Sequence, residues 1–309
     1  MNENATHTEI VEALLEKLRR FYVFPDAAEK ICINLQQHLA DGDYDDLQDE
    51  EFFAYALTTH MQEICHDEHL WVRWHADPLP DEDEVLRLNE QWTVQQQHQA
   101  RINNYGFHKV ERLDGNIGYV DIRSFYRPEW GGDTAVSAMN FLAHTDALIF
   151  DLRQCTGGYP GMVALISSYL LGGEPQLLNT IYWRDDDTTQ QYWTLPYVPG
   201  KKLDDKPLYI LISKETFSGG EGFAYDMQAR KRATLIGEQT DGGAHPGASY
   251  RLHPHFEVFI PIGLPTHPIT GTNWEGTGVT PDIATAADQA LKTAHKMALA
   301  EASKGLGTH

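Results

Sequence analysis

Apolar residues recur at helical spacing over residues 8–75. In TEIVEALLEKLRRFYVF, Ile10, Leu14, Leu15 and Leu18 share one face, and Pro25 closes the segment. DAAEKICINLQQHLADGDY predicts a second helix, stopped by the Asp41-Gly42 turn. DEEFFAYALTTHMQEICHDEHL predicts a third, opened by acidic residues that suit the positive end of a helix. These three form an expected helical cap over 1–75. Residues 76–108 are polar, with Pro78, Pro80 and the run QWTVQQQHQA, and read as a partly helical linker.

From residue 109 the period changes. NIGYVDIRSFY alternates as a strand does, DTAVSAMNFLAH is helical, and DALIFDLR is a buried strand. YPGMVALISSYLLGG predicts a helix with a Gly-Gly stop. PLYILIS is a strand, followed by a helix from Ser218 and then by the strand ATLIGEQT. Strands and helices alternating in this way predict an α/β core over 109–309. YRLHPHFEVFIPIG reads as a hairpin added to that core, and AADQALKTAHKMALAEA as a closing helix. There is no internal repeat.

The chain has 309 residues, with 24 Lys+Arg against 45 Asp+Glu, a net charge of −21. Such a surface repels phosphate backbones, so nucleic acid is not an expected partner. Basic peptides are the substrates it would favour, less so as salt rises. No apolar run is long enough to span a membrane. The charged, amphipathic start lacks the features of a secretory signal, and three cysteines without a CxxC pair suit a reducing compartment. The expectation is a cytoplasmic protein without a cofactor or a metal. A homo-oligomer is compatible with it.

The chemistry concentrates at SKETFSGGEGFAYDMQ, Ser213 to Gln228. Ser218 stands between a strand and a helix. A helix N-terminus offers free backbone N–H groups, and Gly219 lets a substrate approach the backbone. A serine nucleophile needs those donors for the oxyanion, together with a base and a group to orient it. An ordinary N-cap serine would explain the position equally well, and Glu221, three residues on, fits a capping box. DLRQCTGGYPG, Asp151 to Gly161, makes a second glycine turn after a buried strand. There Gly157 and Gly158 lie at the sheet edge where α/β proteins bind ligands.

DLRQCTGG, KETFSGGEGFAYDMQARKRATLIGEQT and GTNWEGTGVTPDI resemble the tail-specific, or C-terminal processing, serine peptidases. The likeness is greatest to the branch that includes the interphotoreceptor retinoid-binding protein modules and the tricorn core protease, and it spans essentially the whole chain. It implies an α/β, crotonase- or ClpP-like core with an N-terminal helical cap. The lysine base of the tail-specific branch is absent: its position is Gly243, in GEQTDGGAHPG. The interval 76–108 is too short for a PDZ domain. Cys155 replaces an asparagine of the family's glycine turn.

The tricorn-like branch uses a histidine base instead. The resemblance implies Ser218 as nucleophile, His66 of the Cys65-His66 pair as base, and Glu275 as orienting carboxylate. Gly219 and Gly158 would supply the oxyanion donors, and Gly157 and Trp274 would meet the substrate. An imidazole titrates near neutral pH, which suits proton transfer. His245, two residues past the lost lysine position, is the alternative base, and His267 is a further rival. His66 and His69 form an H-x-x-H, but without H-E-x-x-H or a third ligand it reads as no metal site. Two functions follow. One is a serine peptidase cleaving short or unstructured peptides through an acyl-enzyme. The other is a non-catalytic module binding an apolar ligand such as a retinoid or fatty acid.

Overall fold

The computed structural model describes residues 7–80 and 94–305. The chain divides into two compact units. The first comprises Met1–Thr93, Ile181–Gln190 and His245–Pro265; the second comprises Val94–Thr180, Gln191–Ala244 and Thr266–His309.

The first unit opens with three helices, α1 (His7–Phe21), α2 (Pro25–Asp41) and α3 (Glu50–Cys65). Pro25 does not merely end α1; it begins α2, where its missing N–H costs nothing. Gly42 stops α2 in the left-handed conformation at φ 78°. The Asp49 side chain caps α3, accepting from the N–H groups of Glu51 and Phe52. The helices bury Ile10, Leu14, Leu18, Ile31, Leu35, Phe53 and Leu57 in one cluster.

That cluster is closed by strands. Beyond α3 the chain runs as β1 (Trp71–Trp74), which pairs antiparallel with β10 (Phe256–Pro261); β10 in turn pairs with β9 (Gly247–His253). Phe256, Val258 and Ile260 alternate inward and complete the helical core. The expected cap over 1–75 is therefore only part of a compact unit that draws on two later stretches. The 250–263 hairpin forms, but it pairs with β1 rather than extending the α/β sheet. Period-2 patterning specifies a strand and leaves its partner open.

The second unit starts with the helix α4 (94–102), the one-turn 3-10 helix Asn104–Gly106, and β2 (Phe107–Leu113). It continues through β3 (Ile117–Ile122), α5 (Pro128–Phe141), β4 (Ala147–Asp151) and α6 (Pro160–Leu170). After β7 (Leu208–Ile212) come α7 (Gly219–Ala229), β8 (Thr234–Gly237), β12 (Ile283–Ala284) and α8 (Ala287–Gly305). The sheet order is β12-β8-β7-β4-β3-β2, parallel except for the edge strand β2. β4 and β7 are buried along their whole length, as central parallel strands are. Ala290, Ala294 and Ala298 of α8 meet Ile149 and Leu211 on one face, while α5, α6 and α7 cover Phe150 and Ile210 on the other. A further sheet, β11-β5-β6, is made of β5 (Leu177–Trp183), β6 (Thr188–Trp193) and β11 (Gly263–Thr266). The sequence pattern did not announce these strands. No helix among the described residues is long and apolar enough to cross a membrane.

Candidate active site

β4 and β7 are neighbours, so the turns that leave their carboxyl ends emerge side by side. They are stitched together by hydrogen bonds. Phe217 N–H donates to Cys155 O (2.9 Å), and the Thr216 hydroxyl donates to Leu152 O (2.8 Å). The second turn then delivers Ser218 to the start of α7. Its backbone stands at φ 51°, ψ −119°, outside the β region of an ordinary N-cap and costly for any residue with a Cβ. A serine at a strained strand-to-helix turn is the arrangement that exposes a nucleophile.

The glycine turn lies against it. Gly157 and Gly158 take φ 97° and 132°, which a side chain would oppose. A Cβ on Gly157 would stand 2.7 Å from both the Gly219 nitrogen and the Ser218 Cβ, and one on Gly219 would stand 3.0 Å from the Gly158 nitrogen. The Gly158 and Gly219 nitrogens, both expected oxyanion donors, are thus in one place beside Ser218. As the first residue of α7, Gly219 has no intrahelical acceptor for its N–H. The methyl group of Gly157→Ala would press on the Gly219 nitrogen and is expected to lower kcat about 10²–10³-fold, as the loss of one oxyanion donor does, with KM little changed. Steady-state kinetics on a folded variant checks this.

Glu221 is the residue whose importance the sequence understated. It is 0 % exposed, and its carboxylate accepts from four donors. Ser218 N–H (2.8 Å) and Gly243 N–H (3.0 Å) reach Oε2; Gly242 N–H (2.8 Å) and the Thr240 hydroxyl (2.6 Å) reach Oε1. One side chain thereby ties the Ser218 backbone to the 240–243 loop. Burial pushes its carboxyl up to about 7, against the opposing pull of those donors. The capping-box spacing was visible in the sequence; the loop donors come from some twenty residues further on.

The same loop is held from its other side. Trp274 is buried, donates its indole N–H to Gly243 O (2.9 Å), and lies over Gly222. It is a wall of the loop, not an open substrate contact. Glu275 accepts from Ala244 N–H at 2.5 Å and so positions the residue before His245. His267 is committed elsewhere: it is buried with Nε2 3.0 Å from Asp226, which also binds Arg230.

In the first unit, His66 is exposed and ends α3 in the left-handed conformation, φ 52°. His245 is buried, with Nδ1 3.1 Å from Asp67 Oδ2. Asp67 is itself buried and also accepts from the Tyr22 hydroxyl (3.1 Å) and from His69 N–H (3.1 Å). The Phe24 ring packs edge-on against His245. Asp67 was not among the residues that the sequence marked for the site. Its DEH spacing, an Asp two residues before a His, is the local signal that could have marked it.

Residues 116–285 match peptidase family S41, and residues 3–108 match the N-terminal domain of that family in eukaryotic IRBP. A carboxy-terminal-processing protease of Bartonella bacilliformis is 28% identical over 177 residues, 56% of this chain but only 39% of that protein. A crystal structure of a Parabacteroides merdae protein superposes with a TM-score of 0.65 at 19% identity, covering 96% of this chain and 98% of that one. The tricorn protease superposes at 0.63 and 14% identity, over 97% of this chain and 37% of the other. These two show a shared fold. With a family match across more than half its length, the chain belongs to peptidase family S41.

Proposed function

We propose that the protein is a serine peptidase that cleaves short or unstructured peptides through an acyl-enzyme. The observation that carries this reading is the strained backbone of Ser218 with the Gly158 and Gly219 nitrogens beside it. The hydroxyl oxygen attacks the scissile carbonyl, a base takes its proton, and the two N–H groups receive the developing oxyanion. The proton returns to the leaving amine, and water then cleaves the ester.

For the base we favour His245 over His66. The Asp67 carboxylate on Nδ1 orients the ring and would stabilise the imidazolium formed when the base takes the serine proton. Chain continuity also keeps the His245 Cα within about 7 Å of the Gly243 Cα, in the loop that Glu221 ties to Ser218. Glu275 supports the role indirectly, by holding Ala244. We read the α/β unit as crotonase-like and the 76–108 interval, of which residues 81–93 lie outside the described residues, as too short for a PDZ domain, so that substrate recognition falls to the core.

The test is covalent. A serine-directed phosphonate should add one equivalent at Ser218, located by peptide mass mapping. Absence of labelling, together with saturable binding of a retinoid or fatty acid, would favour the non-catalytic reading. Asp67→Asn should lower kcat/KM by about 10²–10⁴-fold, as removal of a carboxylate that orients a histidine base does. His245→Ala should cost at least as much. If His66→Ala or His69→Ala costs more than His245→Ala, the base is reassigned.

A further inference from the structure

Two cavities open at the carboxyl ends of the second unit's strands, and their linings differ in charge. One, about 480 Å³, is lined by five carboxylates, Asp121, Asp151, Glu215, Glu238 and Asp288, against three cations, Arg153, Lys214 and Arg123, the last of which stands between the two cavities and lines both. The other, about 500 Å³, has no aspartate or glutamate among the residues that line it. In a chain of net charge −21 this is unusual. Its polar lining includes Arg123, His108, Asn103, Gln154 and Thr156, beside the ring of Phe107.

The second cavity adjoins the oxyanion turn. Thr156 immediately precedes Gly157, and the Ser124 hydroxyl, also in the lining, donates to Gly157 O at 3.3 Å. Phe125 pairs with Gly158 as a parallel bridge, its N–H donating to Gly157 O at 2.7 Å. A peptide whose carbonyl sits at Gly158 and Gly219 therefore has this cavity within one or two residues of its scissile bond. Arg123 is 42% exposed, and its bonds to Asp121 are long, at 3.2 and 3.4 Å. Its fork of donors is available to a second carboxylate.

Resting on the peptidase reading, we infer that this cavity is a specificity subsite for an acidic side chain, with Arg123 as the residue that selects it. The net charge alone favours basic peptides. Net charge acts over a Debye length in solution, whereas a lining without carboxylates acts at contact, where a charge-assisted hydrogen bond is stronger.

The experiment reads binding, so that it does not depend on turnover. Dye-labelled, C-amidated alanine octapeptides carrying Glu-Glu, Gln-Gln or Lys-Lys at the centre are titrated into the Ser218→Ala protein and followed by anisotropy. The Glu-Glu peptide should bind about tenfold tighter than Lys-Lys, the ratio given by 1.4 kcal/mol. Arg123→Gln should abolish that preference while leaving Gln-Gln binding within twofold. Equal or tighter binding of Lys-Lys, an unchanged preference in Arg123→Gln, or no binding of any of the three would overturn the subsite. So would a Glu-Glu preference that appears only when the C-terminus is left free, since the group recognised would then be a terminal carboxylate. Phosphonate labelling of the unmodified protein reports separately. Labelling without a Glu preference removes the subsite alone, and a Glu preference without labelling removes the peptidase reading alone.

Discussion

Replacing Ser218 by glycine is expected to abolish hydrolysis and, at the same time, to raise stability by about 1 kcal/mol. A non-glycine residue held at φ 51°, ψ −119° carries roughly 1–3 kcal/mol of backbone strain. Glycine releases that strain, and the greater freedom of its unfolded chain takes back about 0.4–1 kcal/mol. Ser218→Ala keeps the Cβ and the strain and loses only the hydroxyl. Both variants should lose activity by at least roughly 10⁴-fold, as removal of a nucleophilic serine does. Only the glycine variant should unfold at higher denaturant. The comparison separates chemistry from conformation, because the two variants share the loss of the hydroxyl and differ only in the Cβ that carries the strain. Residual turnover in Ser218→Ala near the wild-type rate would end the assignment of the nucleophile.

Glu221→Ala should be the most destabilising of the changes considered. It strands three backbone N–H groups, those of Ser218, Gly242 and Gly243, and removes the acceptor of the Thr240 hydroxyl. Each buried donor left unpaired costs about 1–3 kcal/mol. Relief from burying the carboxylate offsets part of this, so a net loss of roughly 3 kcal/mol or more is expected. Glu221→Gln should lose less, since its amide keeps one acceptor oxygen.

The pH dependence has a definite sign. Burial raises the folded-state carboxyl from 4.5 to about 7, so the folded protein holds this proton more tightly than the unfolded chain. The resulting stability is fully present below pH 4.5 and is lost as the pH rises through 7. Such a shift is worth roughly 3 kcal/mol. In urea titrations at pH 5 and pH 8, the wild type should therefore lose more stability between the two than Glu221→Gln does. An identical pH response in the two proteins would show that Glu221 remains ionised throughout. The ionised carboxylate is also the form that can accept from all four donors, so a well-tied Ser218 and maximal stability are favoured at opposite ends of this range.

Much of the second unit was legible in the sequence because its signals are local. The strands ending at Asp151 and Ile212, the glycine turns after them and the helix behind Ser218 all follow from residues within one short window. The two turns converge because parallel strands with helical crossovers align their carboxyl ends, a rule that needs no long-range information. What the sequence withheld is long-range pairing. Trp71–Trp74 reads as the tail of a helical region until β10, far along the chain, is set beside it. The 250–263 hairpin offered no sign of its partner. Asp67 and His245 are 178 residues apart, and neither carries a local mark of the other. Glu221 was legible as a cap but not as the hub of a loop, because three of its donors belong to residues 240–243. The backbone strain at Ser218 is likewise invisible in letters, since serine is common at ordinary helix starts.

The helical core that opens the chain is finished by strands ending at Pro261. During synthesis, α1, α2 and α3 leave the ribosome long before Phe256, Val258 and Ile260 are available to cover them. Their apolar faces must wait, exposed, while most of the polypeptide is made. A fragment cut at the end of the N-terminal family match is therefore expected to keep those faces uncovered and to aggregate rather than fold alone.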